Sequence, residues 1–199
     1  MFGYSPSTTR FRGIEEHQQQ RQTAMLIYRP INPAPRRVLY PPFHHEGVLR
    51  RIVEASGLER QLIGAASRWE VPSLPGHSTL EVRAQPEWGH GSITVLQFGD
   101  DLLPLVRMRL RELCLNGIEA IFLDLPLEDP ATAVHCAMLE SLGFFFSGMV
   151  PELGATGDVL RLQYLNNVAI DPARLQVASE FGRELLEYVA SQMTQGLEL

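Results

Sequence analysis

Residues 120–150 read AIFLDLPLEDPATAVHCAMLESLGFFFSGMV, and this stretch decides the fold. It opens on Ala120-Ile121-Phe122-Leu123-Asp124-Leu125, a nearly continuous apolar run of the kind a buried strand carries. Pro130 suits the start of a helix, because a first-turn N–H has no partner to lose. Ala133 to Leu142 continue that helix to Gly143, where glycine ends it by turning left-handed. Phe144 to Val150 then reads as a second strand. A buried strand, a helix and another strand in succession predict a sheet with helices packed against it.

The pattern extends in both directions. Upstream, Thr79 to Ala84 alternates as a strand should, Pro86 to Gly91 turns the chain, and Ser92 to Phe98 is a further strand. Asp100 and Asp101 open a helix running to about Leu115, with Leu102, Leu105, Val106, Leu110, Leu113 and Cys114 at helical spacing and Asn116-Gly117 as its stop. Downstream, Asp158 to Leu165 is a strand, and Asp171-Pro172 begins a long helix reaching roughly Gln192. The order from residue 79 is β-β-α-β-α-β-β-α, an α+β mixed sheet whose strands join through both hairpins and helices.

Residues 1–63 read more loosely, as a basic arm with two short strands (Thr23–Tyr28 and Arg37–Tyr40) and a helix from His44 to Ser56 stopped by Gly57. Residues 64–78, punctuated by Pro72, Pro75 and Gly76, read as a linker to a domain spanning 79–199. The 199-residue chain carries 17 arginines and no lysine. That excludes Schiff-base chemistry and a Walker A phosphate loop, both of which need a lysine. Charge is divided: residues 1–68 hold 10 arginines and 5 acids, residues 69–199 hold 7 arginines and 18 acids. The basic arm either pairs with the acidic part or lies on an acidic partner; nucleic-acid binding ranks last, because few aromatics interleave with its arginines. No apolar run is long enough to span a bilayer, and the first residues lack a hydrophobic signal core, so a cytoplasmic location is expected. Cys114 and Cys136 sit inside apolar helical patterns and read as small buried hydrophobes.

The segment Leu139-Glu140-Ser141-Leu142-Gly143-Phe144 is similar to the x-x-x-Leu-Gly-Phe sequence that commonly ends a helix in the GNAT superfamily of N-acetyltransferases. Together with the strands on either side, the resemblance covers about residues 79–165. It implies a GNAT-like sheet with acetyl-CoA or CoA held where two central strands part, the pyrophosphate resting on backbone N–H groups at the next helix N-terminus. The cofactor-binding residues it implies are Leu96, Gln97, Phe98 and Gly99. The family's loop reads Arg/Gln-x-x-Gly-x-Gly/Ala; here it reads Gln97-Phe98-Gly99-Asp100-Asp101-Leu102-Leu103-Pro104. Two carboxylates stand where an anion belongs, and Pro104 has no N–H to give. Asp100 and Asp101 are expected to cap the helix themselves.

The family's catalytic tyrosine falls at Leu139, which transfers no proton. Substitutes are His135, Cys136 and Tyr164, the last on the final strand; a strand tyrosine packed on its neighbours is the blander alternative. A general base could be Glu81, Glu87 or Asp124, of which Asp124 lies near a strand end, where sites gather in open sheets. It could equally cap a helix or close a turn with Pro126. The catalytic candidates are Asp124 and Tyr164. His44-His45-Glu46 forms a compact group, but neighbours on a helix point apart, and no H-E-x-x-H or Cys-x-x-Cys spacing occurs, so no metal is assigned. Trp88-Gly89-His90-Gly91 reads as a tight loop.

Gly3-Tyr4-Ser5-Pro6 followed by Leu26-Ile27-Tyr28 echoes Gly148-Met149-Val150-Pro151 followed by Leu162-Gln163-Tyr164. Residues 1–30 are therefore expected to form an antiparallel hairpin related by pseudo-symmetry to 144–165, the tail of a preceding GNAT-like or regulatory module. Ala178, Phe181, Leu185 and Tyr188 repeat at heptad spacing, either against the chain's own sheet or as a homodimer seam; a sheet edge is the other dimer surface. Two functions remain: a degenerate GNAT-like protein with a binding or regulatory role, or an active N-acetyltransferase moving an acetyl group from acetyl-CoA to an unknown amine.

Overall fold

A computed structural model describes residues 3–6, 23–26, 28, 30–32, 34–64, 73–153, 157–168, 170–171 and 175–195. The strands are β1 (Gly3–Pro6), β2 (Thr23–Leu26), β3 (Arg37–Leu39), β4 (Arg60–Leu62), β5 (Thr79–Gln85), β6 (His90–Gln97), β7 (Ala120–Pro126), β8 (Phe145–Val150) and β9 (Val159–Leu165). The helices are α1 (Glu46–Ser56), α2 (Leu102–Leu115), α3 (Ala131–Glu140) and α4 (Glu180–Gln195). Seven strands form one mixed sheet in the order β2-β1-β8-β9-β7-β6-β5, and β3 and β4 make a small parallel pair. From Thr79 onward the order is the expected β-β-α-β-α-β-β-α, and the α+β class holds.

Register explains the burial. Directly opposed residues face the same way. Ile93 opposes Leu123, which opposes Leu162, which opposes Phe146. All four are fully buried, as are Ile121, Leu125 and Leu160 on the same face. The apolar stripes of the helices join this cluster: Leu49 and Ile52 from α1, Leu102 and Val106 from α2, Cys136 and Leu139 from α3, and Leu185 and Val189 from α4. The opposite face is polar around Ser92, Thr94, Asp124, Arg161 and Gln163, with Phe122 and Phe145 among them.

β1 pairs antiparallel with β2, and Gly3 opposes Gly148 of β8. The sheet thus reads β2-β1 then β8-β9, two antiparallel pairs side by side. Gly143 stops the turn after α3 at φ +94°, as its place in Leu-Gly-Phe requires.

Two expectations are corrected. α4 begins at Glu180, not at Asp171-Pro172: Ser179 accepts a hydrogen bond from the Gly182 N–H through its hydroxyl, the work of an N-cap, and leaves Ala178 outside the helix. β4 is a strand beyond the two short strands and helix expected in residues 1–63; three residues are too few to show a period, and its place is set by pairing with β3. The apolar positions of α4 are spent inside the chain, with Leu185 and Val189 each 1% exposed. Among the described residues, no helix is long and apolar enough to cross a membrane.

Candidate functional site

The strand ends that the resemblance marks for a cofactor come first. β6 and β7 are parallel neighbours, paired from His90 opposite Ala120 to Thr94 opposite Asp124. Their pairing stops there, although β6 runs on to Gln97 and β7 to Pro126. Leu96 and Gln97 are exposed beyond that point, while Phe98 and Gly99 are buried. The Phe98 ring stacks with His135 of α3 at 5.9 Å between centroids. Burial lowers the His135 pKa, opposed by Asp129 and Asp100.

The N-terminus of α2 is covered by the chain itself. The Asp100 N–H donates to the Pro75 carbonyl at 2.9 Å. The Ser78 N–H donates to Asp101 Oδ1 at 2.6 Å, and His77 Nδ1 lies 3.0 Å from Asp101 Oδ2. Asp101 sits at the cap position, yet its carboxylate makes no bond to the helix; this corrects the expected self-capping. Its oxygens turn away because the segment 75–78 brings donors to them. The bond from His77 and then those from Ser78 hold its pKa below the ordinary 3.8. A Cβ on Gly99 would lie 2.5 Å from Ser78 N and closer still to the His77 carbonyl carbon. Glycine is therefore needed here for an approach of backbone to backbone, the role a phosphate takes in an anion loop.

Asp124 is in the body of β7, 1% exposed, which removes it as a helix cap or turn residue. Arg161 Nε and Nη2 donate to its two oxygens at 2.7 and 2.8 Å, and the guanidinium lies 4.8 Å from the centre of the Phe122 ring. The carboxylate is engaged on both oxygens by a fork that suits it. Gln163 is beside this pair, fully buried, with neither side-chain amide atom bonded among the described residues. Tyr164 faces the other side of the sheet, packed on Phe144 and against Gly143, and burial raises its pKa. Asp124 and Tyr164 are thus on opposite faces, and the structure does not bring them together. Glu81 pairs with Arg83 on the edge strand, and Glu87 is exposed.

A second polar cluster lies among a 3₁₀ turn (Phe43–His45), α3 and α4. His44 and His45 both reach Glu140 at the C-terminal end of α3, at 2.6 Å to Oε2 and 2.7 Å to Oε1. Adjacent histidines were expected to point apart; here the 3₁₀ turn sets their rings 4.0 Å apart, astride one carboxylate. His45 is fully buried, and its Nδ1 lies 2.7 Å from the Tyr188 hydroxyl of α4, which donates to the His44 carbonyl at 3.0 Å. Burial pushes the Glu140 pKa up, but the bonds and charges of the two histidines outweigh it and hold it at about 2. Burial, then the neighbouring Glu140 charge, pushes the Cys136 thiol well up. Burial, then Glu140, pushes Tyr188 up to about 12. Sequence reasoning missed Glu140 and Tyr188. The available signal was the i, i+4 spacing of Cys136 and Glu140, which puts two donor-bearing side chains on one helix face. No family model matches this chain, and no curated protein matches it.

Proposed function

We propose that this chain is a GNAT-like protein whose acyl-CoA site has been filled by its own backbone, leaving a binding or regulatory role. The observation that carries this reading is the packing of residues 75–78 on Gly99–Asp101. The Asp100 N–H is spent on Pro75, the Asp101 carboxylate on Ser78 and His77, and no space remains at Gly99. A diphosphate would have to displace that segment and then meet two carboxylates, with no lysine anywhere to offset them. The chain order β-β-α-β-α-β-β-α, with β6 and β7 adjacent and unpaired beyond Thr94 and Asp124, supports the fold half of the reading. The antiparallel pair β1-β2 beside β8 supports its extension to an upstream unit of similar kind. Calorimetric titration of the chain with acetyl-CoA and with CoA tests the proposal. No binding at millimolar ligand is expected; micromolar binding overturns it.

One observation favours the second reading, an N-acetyltransferase acting on an unknown amine. The β6–β7 pairing ends at Thr94 and Asp124, and the His135 imidazole stacks on Phe98, the residue after β6. Under that reading Asp100→Ala leaves CoA affinity unchanged or improves it, because it removes a charge that opposes the pyrophosphate.

A further inference from the structure

We propose that His44, His45, Cys136 and Glu140 form a binding site for one divalent transition-metal ion, zinc by the chemistry of the donors. The four side chains offer two imidazole nitrogens, one sulfur and one carboxylate oxygen, all within 4.8 Å of one another. Zinc takes this mixture in four-coordinate sites, whereas calcium and magnesium take oxygen. Tetrahedral bonds of about 2.0–2.3 Å put neighbouring ligand atoms roughly 3.3–3.8 Å apart. The widest separation must shrink, and the two histidine–carboxylate contacts must open, by about 1 Å. Two rigid frames supply the donors. Cys136 and Glu140 are one turn apart on α3, and the histidines are adjacent on the 3₁₀ turn that leads into α1.

The hydrogen bonds around the cluster suit an ion on His45 Nε2. Tyr188 has one hydroxyl proton, and it donates that proton to the His44 carbonyl. His45 Nδ1 meets the same hydroxyl oxygen at 2.7 Å. Its Nε2 faces Glu140 Oε1 at 2.7 Å. An ion on Nε2 leaves the one proton of the ring on Nδ1. The ring is then neutral, Nδ1–H donates to Tyr188, and Tyr188 donates to His44, one proton to each contact. That relay is the usual outer support of a metal-bound histidine. An ion would also convert the buried Cys136 thiol to its thiolate. His44 is 39% exposed at its side chain and provides the way in, while His45 is closed off. Four protein ligands with no open position describe a structural site, tying the 3₁₀ turn and α1 to α3 and, through Tyr188, to α4. This inference does not depend on the acyl-CoA reading above.

The test uses the full chain, stripped with chelator and titrated with zinc chloride, then with cobalt(II) as a visible substitute. One equivalent of zinc, a higher midpoint of thermal unfolding, and a cobalt spectrum with tetrahedral d–d bands and a sulfur-to-cobalt charge-transfer band are expected. Cys136→Ser should lose the charge-transfer band. His44→Ala, at the exposed edge, should keep the metal-free circular dichroism and bind zinc at least about a hundredfold more weakly. Tyr188→Phe should weaken zinc by about ten- to a hundredfold. No stoichiometric uptake at micromolar zinc overturns the proposal. So does His44→Ala binding like the parent, or a cobalt complex of the parent without the sulfur band.

Discussion

At the scale of single residues, Asp101 shows how one carboxylate redirects a loop. It accepts from Ser78 and His77 instead of from its own helix. Its pKa lies below the ordinary 3.8, so its charge-assisted contacts are fully present above that value and are lost as pH falls through the lower folded value. The Ser78 amide proton is the reporter. Followed by nuclear magnetic resonance, its shift should titrate with a midpoint below 3.8, and Asp101→Asn should abolish the titration. A midpoint at or above the ordinary value would mean that the carboxylate is free. The cysteines show a different economy. Cys136 was expected as a small buried hydrophobe and is buried, yet the same side chain borders Glu140 and two imidazoles. Burial alone does not separate a packing role from a ligand role; neighbours do, and the two histidines are remote in sequence.

At the scale of elements, residues 79–165 were legible because their periods are clean. Ile121, Leu123 and Leu125 announce a buried strand, and Gly143 announces the end of α3. What stayed hidden depends on partners far along the chain. β4 is three residues long and exists by pairing with β3. The start of α4 turns on the Ser179 hydroxyl, a cap that competes with the equally plausible Asp171-Pro172. The cluster at Glu140 needs three elements to meet, which no local pattern encodes. The cover of α2 is of the same kind: Gly99 looks like a phosphate-loop glycine in sequence but serves a backbone crossing. Gly99→Ala tests that difference. The new methyl meets backbone atoms of His77 and Ser78, which cannot rotate away as a side chain could. The variant should lose about 1–3 kcal/mol in urea unfolding, the usual cost of overpacking. Protection of the Asp100 and Ser78 amides from hydrogen exchange should fall with it. Unchanged stability would show that the segment 75–78 does not rest on this glycine.

At the scale of the whole molecule, the uneven charge of the sequence finds a use in pairs that cross between its two parts. Arg51 meets Glu184, and Arg37 bonds both Glu128 and Glu152, at 2.7 Å each. The deepest pair is Arg60 with Asp158, both side chains at zero exposure. Arg60 also donates to Glu152 at 2.9 Å and to the Pro35 carbonyl at 2.6 Å. Asp158 in turn accepts from the Glu152 N–H at 3.1 Å, and its carbonyl accepts from the Leu127 N–H at 2.8 Å. This network fastens the small β3–β4 sheet to the loops at one end of the large sheet. Its energetics follow from burial rather than from the number of bonds. Removing one member of a buried pair strands the other in low dielectric, at a cost of about 3–5 kcal/mol. An exposed pair such as Arg36 with Glu59, at 87% and 62% side-chain exposure, contributes about 0–1 kcal/mol. Asp158→Ala should therefore destabilise the chain by about 3–5 kcal/mol in urea unfolding, and Arg36→Ala by less than about 1 kcal/mol. Replacing both partners with apolar residues, Arg60→Met with Asp158→Leu, should recover part of the loss, because no charge is then left unpaired. The recovery falls short of complete, since the Pro35 carbonyl loses the Arg60 donor and Glu152 is left with Arg37 alone of its two arginines. Equal effects for Asp158→Ala and Arg36→Ala would mean that the buried network does not hold the two sheets together.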